Sequence, residues 1–207
     1  MAQILKFYDE RHQYTLDGEE IPSVSEISRF ASREIYGDIT QYTLDNACKR
    51  GSAVHKYTEI LDKYGECEAS EDIIPYMTAY IQFRKDYGIS DYEAIEKSLA
   101  SRTMKYAGTL DRVGLIDGKR AILDIKTSAA VQNPLAMIQL NGYKKLWEEN
   151  NPDKPIEILY ILHLKGDSKY KLLSFEMDDT LFMACYTLHQ ALAKKKRNFR
   201  KETICDE

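Results

Sequence analysis

Apolar and polar residues alternate along some stretches of this chain and recur with helical spacing along others, so the pattern predicts both strands and helices. The N-terminal part is predicted to contain a hairpin over residues 3–17 that turns at Glu10-Arg11, a helix from the Ser23/Glu26 capping box to about Phe30, and helices over 40–64 and 72–87. Strands are predicted over 93–101, 106–116 and 119–127. A helix over 133–150, strands over 156–164 and 170–177, and a helix from Leu181 to about Phe199 follow them. This order predicts an α/β (α+β) fold, in which helices cover a mixed central sheet and an N-terminal helical portion precedes it.

Two of the predicted strands meet at Asp117-Gly118, a dipeptide favoured in two-residue hairpin turns because both positions take positive φ. Such a turn fixes the register, so that facing residues have numbers adding up to 235. We therefore expect Asp111 to lie opposite Asp124, and Thr109 opposite Lys126. Facing side chains share one face with Cβ atoms about 4.5–5.5 Å apart, where like charges destabilise the pair.

Asp124 interrupts the apolar stretch AILDI at residues 121–125, which is typical of a strand buried on both faces. A divalent cation would compensate two facing carboxylates in such a place. Lys126 points to the same face as Asp124, because strand side chains alternate. Two carboxylates and a lysine on one face therefore indicate a hydrolytic metal site. The alternative is an exposed Asp111 ion-paired with Lys126, but it leaves the facing aspartates on an apolar strand unexplained.

Composition narrows the classes of function. The chain has 207 residues, of which 43% are apolar and 30% charged, and it contains no apolar run long enough for a transmembrane helix. The N-terminus lacks the apolar core of a signal peptide and the four cysteines are widely spaced, so we expect a cytoplasmic protein with reduced thiols. We expect one domain over residues 1–207, made of an N-terminal hairpin and helical part (1–90), a sheet core (91–177) and a C-terminal helix with a basic tail (178–207).

Positive charge is concentrated near the C-terminus. Residues 194–201 carry six of the chain's 29 Lys and Arg residues, although the net charge of the whole chain is −4. A basic segment at one end of an otherwise acidic protein can bind phosphate groups at that place. The candidate DNA contacts are therefore Lys194, Lys195, Lys196 and Arg197. A solvated helix end with a basic tail explains this run equally well.

Four motifs occur in a fixed order along the chain. They are R-G-S-A-V-H-K-Y-T-E at residues 50–59, G-T-L-D-R-V-G at 108–114, D-I-K at 124–126 and Q-L-N-G-Y at 139–143. Together they resemble the PD-(D/E)xK nuclease superfamily, and within it the small phage-type members of the RecB-type exonuclease branch. The N-terminal stretch over residues 14–25 also resembles the start of such members, so the likeness covers roughly residues 14–145.

The resemblance implies a restriction-endonuclease-like core with a metal site. It assigns the catalytic roles to Asp111, Asp124 and Lys126, with the lysine as a positioner of water and a stabiliser of negative charge. It assigns the metal ligands to His55, Asp111, Asp124 and the backbone carbonyl of Ile125, with Glu96 and Glu59 as further candidates. Carboxylate ligands suit Mg²⁺ or Mn²⁺, and an imidazole nitrogen favours Mn²⁺.

Other residues would support DNA binding or the catalytic lysine, namely Arg50, Gln139 and Tyr143. Ordinary roles remain open for several of these residues: Glu59 as an ion-pairing acid, and Gln139 and Tyr143 as helix-face residues one turn apart. Leu110 stands where the motif nominally has proline. The cysteine cluster of the iron–sulfur members is missing after the core, so we expect no iron–sulfur cluster.

These features lead to three hypotheses about function. The first is a metal-dependent DNA exonuclease of phage or mobile-element recombination, with linear DNA ends as substrate, little base specificity, and an annealing or recombination protein or further copies of the chain as candidate partners. The second is a non-catalytic or partner-dependent DNA-end-binding subunit with the same fold. The third is a structural phage protein whose carboxylates bind a structural cation. His12, His163 and His189 receive no functional role.

Overall fold

The computed structural model describes residues 4–8, 11–36 and 41–204. Three short N-terminal strands, β1 (Leu5–Tyr8), β2 (Gln13–Leu16) and β3 (Glu19–Ile21), form an antiparallel sheet. β1 and β2 confirm the predicted hairpin, although Glu10 at its turn lies outside the described residues. The sequence pattern does not predict β3, which is only three residues long.

The capping box predicted at Ser23 is present: the Glu26 N–H donates to Ser23 Oγ, and the Ser23 N–H donates to the Glu26 carboxylate, each at 3.0 Å. The predicted single helix is wrong in its extent, because α1 (Val24–Ile27) stops at Ser28 and a second helix begins. The helices that follow before the main sheet are α2 (Arg29–Tyr36), α3 (Gln41–Tyr64) and α4 (Ile74–Asp86).

The main sheet has five strands in the spatial order β4-β5-β6-β7-β8. Their bounds are Ala94–Ser101 for β4, Tyr106–Ile116 for β5, Lys119–Lys126 for β6, Ile158–Leu164 for β7 and Tyr170–Phe175 for β8. All neighbours are antiparallel except β6 and β7, which are parallel because helix α5 (Asn133–Asn150) connects them as a crossover. Helix α6 (Thr180–Ile204) follows β8 and continues beyond the predicted end at Phe199.

The predicted hairpin register is confirmed from the turn as far as Arg112. Asp117 and Gly118 have φ values of 51° and 75°, and the pairs run from Ile116–Lys119 to Arg112–Leu123. The ladder ends there, so the direct pairings expected of Asp111 with Asp124 and of Thr109 with Lys126 do not form. The carboxylate of Asp111 instead accepts the N–H of Ile125 at 2.7 Å, and β6 continues beside β7. The two strands of the hairpin therefore separate at the aspartates.

Both faces of the main sheet are covered by helices. Helices α1, α5 and α6 pack on one face around buried Val24, Leu146 and Phe182, while α3 and α4 pack on the other around Val54 and Phe83. The small sheet packs against β4 and β5 through a third apolar cluster, and Ala107 of β5 donates its N–H to the carbonyl of Pro22 at 2.9 Å. A mixed sheet covered on both faces confirms the predicted α/β (α+β) class with its restriction-endonuclease-like core. In the described part of the chain, no helix is long and apolar enough to cross a membrane.

Close packing between α5 and α6 depends on a glycine. A Cβ atom at Gly142 would lie 2.7 Å from the Phe182 ring and 3.1 Å from Val24, whereas a Cβ at Gly51 in α3 would meet Thr127 at 3.8 Å. We therefore expect Gly142→Ala to lower the free energy of unfolding by about 1–3 kcal/mol through overpacking. The matched change Gly51→Ala should raise it by up to about 1 kcal/mol, since alanine favours helix. Urea denaturation of both variants measures the difference, and equal effects would contradict the packing.

Candidate metal centre

The two candidate carboxylates lie where β5 and β6 separate. Asp111 and Asp124 are 8% and 3% exposed, so both are buried in spite of their charge. Asp111 is held by its hydrogen bond from the Ile125 N–H, and this bond also fixes the backbone next to Asp124. Lys126 Nζ lies 2.6 Å from Asp124 Oδ2, which confirms that both side chains share a face.

His55 reaches this place from helix α3, on the opposite face of the sheet from α5. Its Nε2 donates to the carbonyl oxygen of Ile125 at 3.1 Å. Its Nδ1 lies 3.3 Å from Glu96 Oε1 and 3.5 Å from Asp111 Oδ1. The structure thus brings together a histidine and an aspartate that lie more than fifty residues apart in sequence.

Glu96 lies opposite Asp111 in the β4–β5 pairing, between the pairs Ile95–Arg112 and Lys97–Leu110. Its φ of 46° places it in the left-handed region, which is uncommon for a residue other than glycine. Side chains of a regular strand alternate between two faces, so residues three positions apart should point to opposite faces. On β5, however, Leu110 and Val113 both lie in the same core cluster, so the alternation shifts by one residue at Asp111. This distortion of both strands allows Glu96 and Asp111 to approach His55 from the same edge.

Arg112, next to Asp111, is completely buried, and its guanidinium makes four hydrogen bonds. Its Nε donates to Asp62 Oδ2 at 2.6 Å, and Nη2 donates to Thr58 Oγ1 at 3.1 Å, so both partners come from α3. Its Nη1 donates to Glu96 Oε1 at 2.9 Å and to the backbone carbonyl of Asp111 at 2.7 Å. Arg112 therefore ties α3, β4 and β5 together beneath the candidate site.

The charges of the site act strongly on one another. Burial lowers the pKa of His55, but the carboxylates of Asp111 and Glu96 outweigh it and raise that pKa to about 9. Burial raises the pKa of Asp124, and repulsion from Asp111 adds to this, while Lys126 opposes it. The site therefore holds more negative charge than its buried position favours.

The donor set fits a hard divalent cation. Carboxylates, a carbonyl oxygen and one imidazole match the ligands of Mg²⁺ and Mn²⁺. In the described residues, single ligand atoms of His55, Glu96 and Asp111 all lie within 4.8 Å of one another. The 3.1 Å between His55 Nε2 and the Ile125 oxygen also suits neighbouring ligands of a six-coordinate ion, which lie about 3 Å apart when each bond is about 2.1 Å. Cation binding would also relieve the repulsion between the aspartates.

Of the proposed supporting residues, Tyr143 and Arg50 lie beside the site. Tyr143 is buried on α5, and burial together with the charges of Asp124 and Asp111 raises its pKa well above the ordinary value. Arg50 donates to the carbonyl of Thr127, one residue beyond Lys126, at 3.3 Å. Both are therefore placed at the end of β6.

The remaining predicted residues lie outside the cluster of His55, Glu96 and Asp111 or outside the side chains that the structure describes. Glu59 accepts hydrogen bonds from Lys63 at 2.6 Å and Lys56 at 3.4 Å, as an ion-pairing acid does, and it is outside the ligand cluster. Gln139 is half-buried on α5. Lys194 and Lys195 are exposed on α6, while the side chains of Lys196 and Arg197 lie outside what the structure describes.

No family model matches the chain, and the comparison with curated proteins found no match. Among solved structures, it is similar to the crystal structure of a candidate exonuclease from Eubacterium rectale, with 15% identity and a TM-score of 0.45, over 88% of this chain and 75% of that chain. A likeness this distant does not indicate a function.

Sequence reasoning missed four residues that support the site. Arg112, Thr58 and Asp62 form a buried hydrogen-bond network, and His163 donates to the carbonyl of Ser128 at 2.7 Å beside Lys126. Two features of the sequence could have indicated this network. Thr58 and Asp62 follow His55 at three and seven positions, which places all three on one face of α3. The second feature is an arginine directly after Asp111 on an apolar strand.

Proposed function

We propose that this protein is a divalent-metal-dependent deoxyribonuclease that hydrolyses phosphodiester bonds from the ends of linear DNA, in the recombination or processing of phage or mobile-element DNA. The observation that carries the proposal is that His55 and Asp111 meet each other and the Ile125 backbone, between Asp124 and Lys126, which form an ion pair on the same strand. These same residues belong to the motifs that resemble RecB-type nucleases. Helix α3 and the β5–β6 hairpin would thus supply one catalytic set.

Asp111, Asp124, His55 and the Ile125 carbonyl would hold Mg²⁺ or Mn²⁺. When bound, such an ion polarises a phosphoryl oxygen and lowers the pKa of a water that attacks in line. Asp111 is already oriented for this role, because the Ile125 N–H occupies Oδ2 and leaves Oδ1 turned toward His55. The burial of Asp111 and Asp124 would strengthen their interactions with the ion, because charges attract more strongly at low dielectric.

Lys126 would orient the attacking water and stabilise the negative charge that develops on the phosphate. Its side chain is 33% exposed, so it can leave Asp124 and reach a substrate that approaches from solvent. The neighbouring carboxylates favour its charged form, which argues for a charged positioner over a neutral general base.

The substrate would be contacted through its backbone. Lys126 and Arg50 offer positive charge at the end of β6, and the basic residues at 194–201 offer more near the C-terminus. Such groups bind phosphate oxygens and carry no direct information about base sequence. We therefore expect cleavage with little base specificity.

Digestion of a matched set of DNA substrates tests the proposal. With Mg²⁺ or Mn²⁺, linear DNA with free ends should be degraded, whereas linear DNA with blocked ends and covalently closed circles should persist, and EDTA should stop the reaction. Cleavage of circles at the same rate would contradict end-dependence. Binding of DNA ends without cleavage in either metal would favour the end-binding subunit. A lower melting temperature in EDTA, with no change in melting temperature when DNA is added and no cleavage, would favour a structural cation.

A further inference from the structure

His55 presents two nitrogens to two different environments. Nδ1 faces the carboxylates of Glu96 and Asp111 at 3.3 and 3.5 Å, whereas Nε2 faces the neutral carbonyl oxygen of Ile125 at 3.1 Å. In a neutral imidazole one nitrogen carries the proton and the other is free to bind a metal. The environment of each nitrogen therefore decides which of the two can be a ligand.

Glu96 is fixed by a partner that cannot move away. Its Oε1 accepts a hydrogen bond from Arg112 Nη1 at 2.9 Å, and this is the same oxygen that faces His55 Nδ1. Arg112 is 0% exposed and is anchored by Asp62, Thr58 and the Asp111 carbonyl. A cation bound at Glu96 Oε1 would thus lie beside a guanidinium that has no room to withdraw.

Asp124 contrasts with Glu96 in this respect. It also has a cationic partner, but the Lys126 side chain is flexible and one-third exposed, so it can turn toward solvent or substrate when a cation arrives. The charge of Glu96 is permanently compensated, whereas the charge of Asp124 is compensated by a movable group. Asp124 is accordingly suited to be a ligand, and Glu96 is suited to hold a ligand in place.

The backbone at Glu96 supports a dedicated role. A glutamate with φ of 46° in the middle of a strand is strained, and such strain persists at sites where the surroundings enforce it. Here the distortion coincides with the shift of alternation on β5 that brings Asp111 and Arg112 to Glu96 from the neighbouring strand.

We propose that Glu96, fixed by Arg112, is a positioning residue: it keeps the proton of His55 on Nδ1 and so directs Nε2, together with the Ile125 carbonyl, toward the metal, without binding the metal itself. The inference rests on the proposed function, because it assumes that a cation binds between Asp111 and Asp124. Carboxylates that orient metal-binding histidines in this way change metal affinity by about 10–100-fold when they are removed.

Two measurements on Glu96→Ala test the proposal. Electron paramagnetic resonance of Mn²⁺ should show affinity weakened by about 10–100-fold, against a larger loss for the ligand variant Asp111→Asn. ¹⁵N NMR of histidine-labelled protein loaded with Zn²⁺, a diamagnetic substitute, should show Nδ1 protonated and Nε2 metal-bound in the wild type. This pattern should be lost in Glu96→Ala, and a His55→Asn sample identifies the signal.

Matched variants control for folding and for charge. Glu96→Gln keeps an acceptor for both His55 and Arg112, so it should retain the NMR pattern and recover part of the affinity, even if the alanine variant folds poorly. Glu59→Ala, one turn along α3 and paired with Lys56 and Lys63, should change neither readout.

Two outcomes would overturn the inference. One is an affinity loss in Glu96→Ala as large as in Asp111→Asn while His55 keeps its Nδ1 proton, because Glu96 would then be a ligand. The other is an unchanged affinity and an unchanged NMR pattern in Glu96→Ala. A wild-type protein that binds no Mn²⁺ would instead contradict the proposed function, so the two failures are distinguishable.

Discussion

Asp124→Asn should reduce metal-dependent DNA cleavage by about 10³-fold, equivalent to about 4 kcal/mol of transition-state stabilisation. Asparagine keeps the shape of the side chain but removes the charge that would attract the cation between Asp124 and Asp111. Steady-state cleavage of linear DNA at saturating Mg²⁺ measures the loss. Activity within tenfold of the wild type would show that Asp124 is not a catalytic ligand.

The same variant should not lose stability, which separates a catalytic effect from unfolding. Burial and repulsion from Asp111 raise the pKa of Asp124, so the charged carboxylate destabilises the metal-free fold at neutral pH relative to a neutral side chain. We therefore expect the melting temperature in EDTA to stay the same or to rise. Asp167→Asn, an exposed position in the β7–β8 turn, is the matched control and should leave both activity and stability unchanged.

Arg112→Met should lower the free energy of unfolding by about 3–5 kcal/mol, because it removes the buried guanidinium that pairs with Glu96 and with the buried carboxylate of Asp62. Asp62 then keeps Arg84, whose side chain is 20% exposed, as its cationic partner. For a chain of this size, that loss corresponds to a fall in melting temperature of about 10 °C or more. Thermal unfolding followed by circular dichroism measures it.

Arg120→Met is the matched control for this change. Arg120 lies on the neighbouring strand β6 and pairs with Glu93 at 2.8 Å, but both side chains are more than one-fifth exposed. Water compensates such a pair when it is broken, so we expect a loss of at most about 1 kcal/mol. Equal destabilisation by the two substitutions would show that the buried network around Arg112 contributes no more to the free energy of unfolding than an exposed ion pair does.

The parts of the site that follow from local pattern could be predicted from sequence. Asp117-Gly118 determines the hairpin turn, and the turn determines the register as far as Arg112–Leu123. The placement of Asp124 on a strand buried on both faces follows from its apolar neighbours, and its shared face with Lys126 follows from strand alternation.

The rest depends on contacts between distant segments, which no local pattern encodes. The register predicts a continuous ladder past Asp111, but the Asp111 carboxylate takes the Ile125 N–H and the strands separate. The approach of Glu96 depends on a left-handed backbone within a strand, and glutamate has no local preference for it. The helix break at Ser28 is likewise a tertiary effect, since α1 and α2 make separate contacts with α5.

The role of Arg112 shows why the surroundings of a site are harder to predict than its ligands. Aspartates and a lysine with motif spacing can be recognised one at a time, whereas Arg112 gains its importance only from Asp62, Thr58 and Glu96, which come from two other elements. The sequence alone does not show which residues form such a network.

Anomalous scattering from crystals soaked in Mn²⁺ tests most directly whether a catalytic cation lies between the two aspartates. We predict a peak within about 2.1–2.3 Å of Asp111 Oδ1, a carboxylate oxygen of Asp124, His55 Nε2 and the Ile125 carbonyl oxygen, with Glu96 outside the coordination sphere. No peak between Asp111 and Asp124 at millimolar Mn²⁺ would contradict the metal centre, and with it the proposed nuclease.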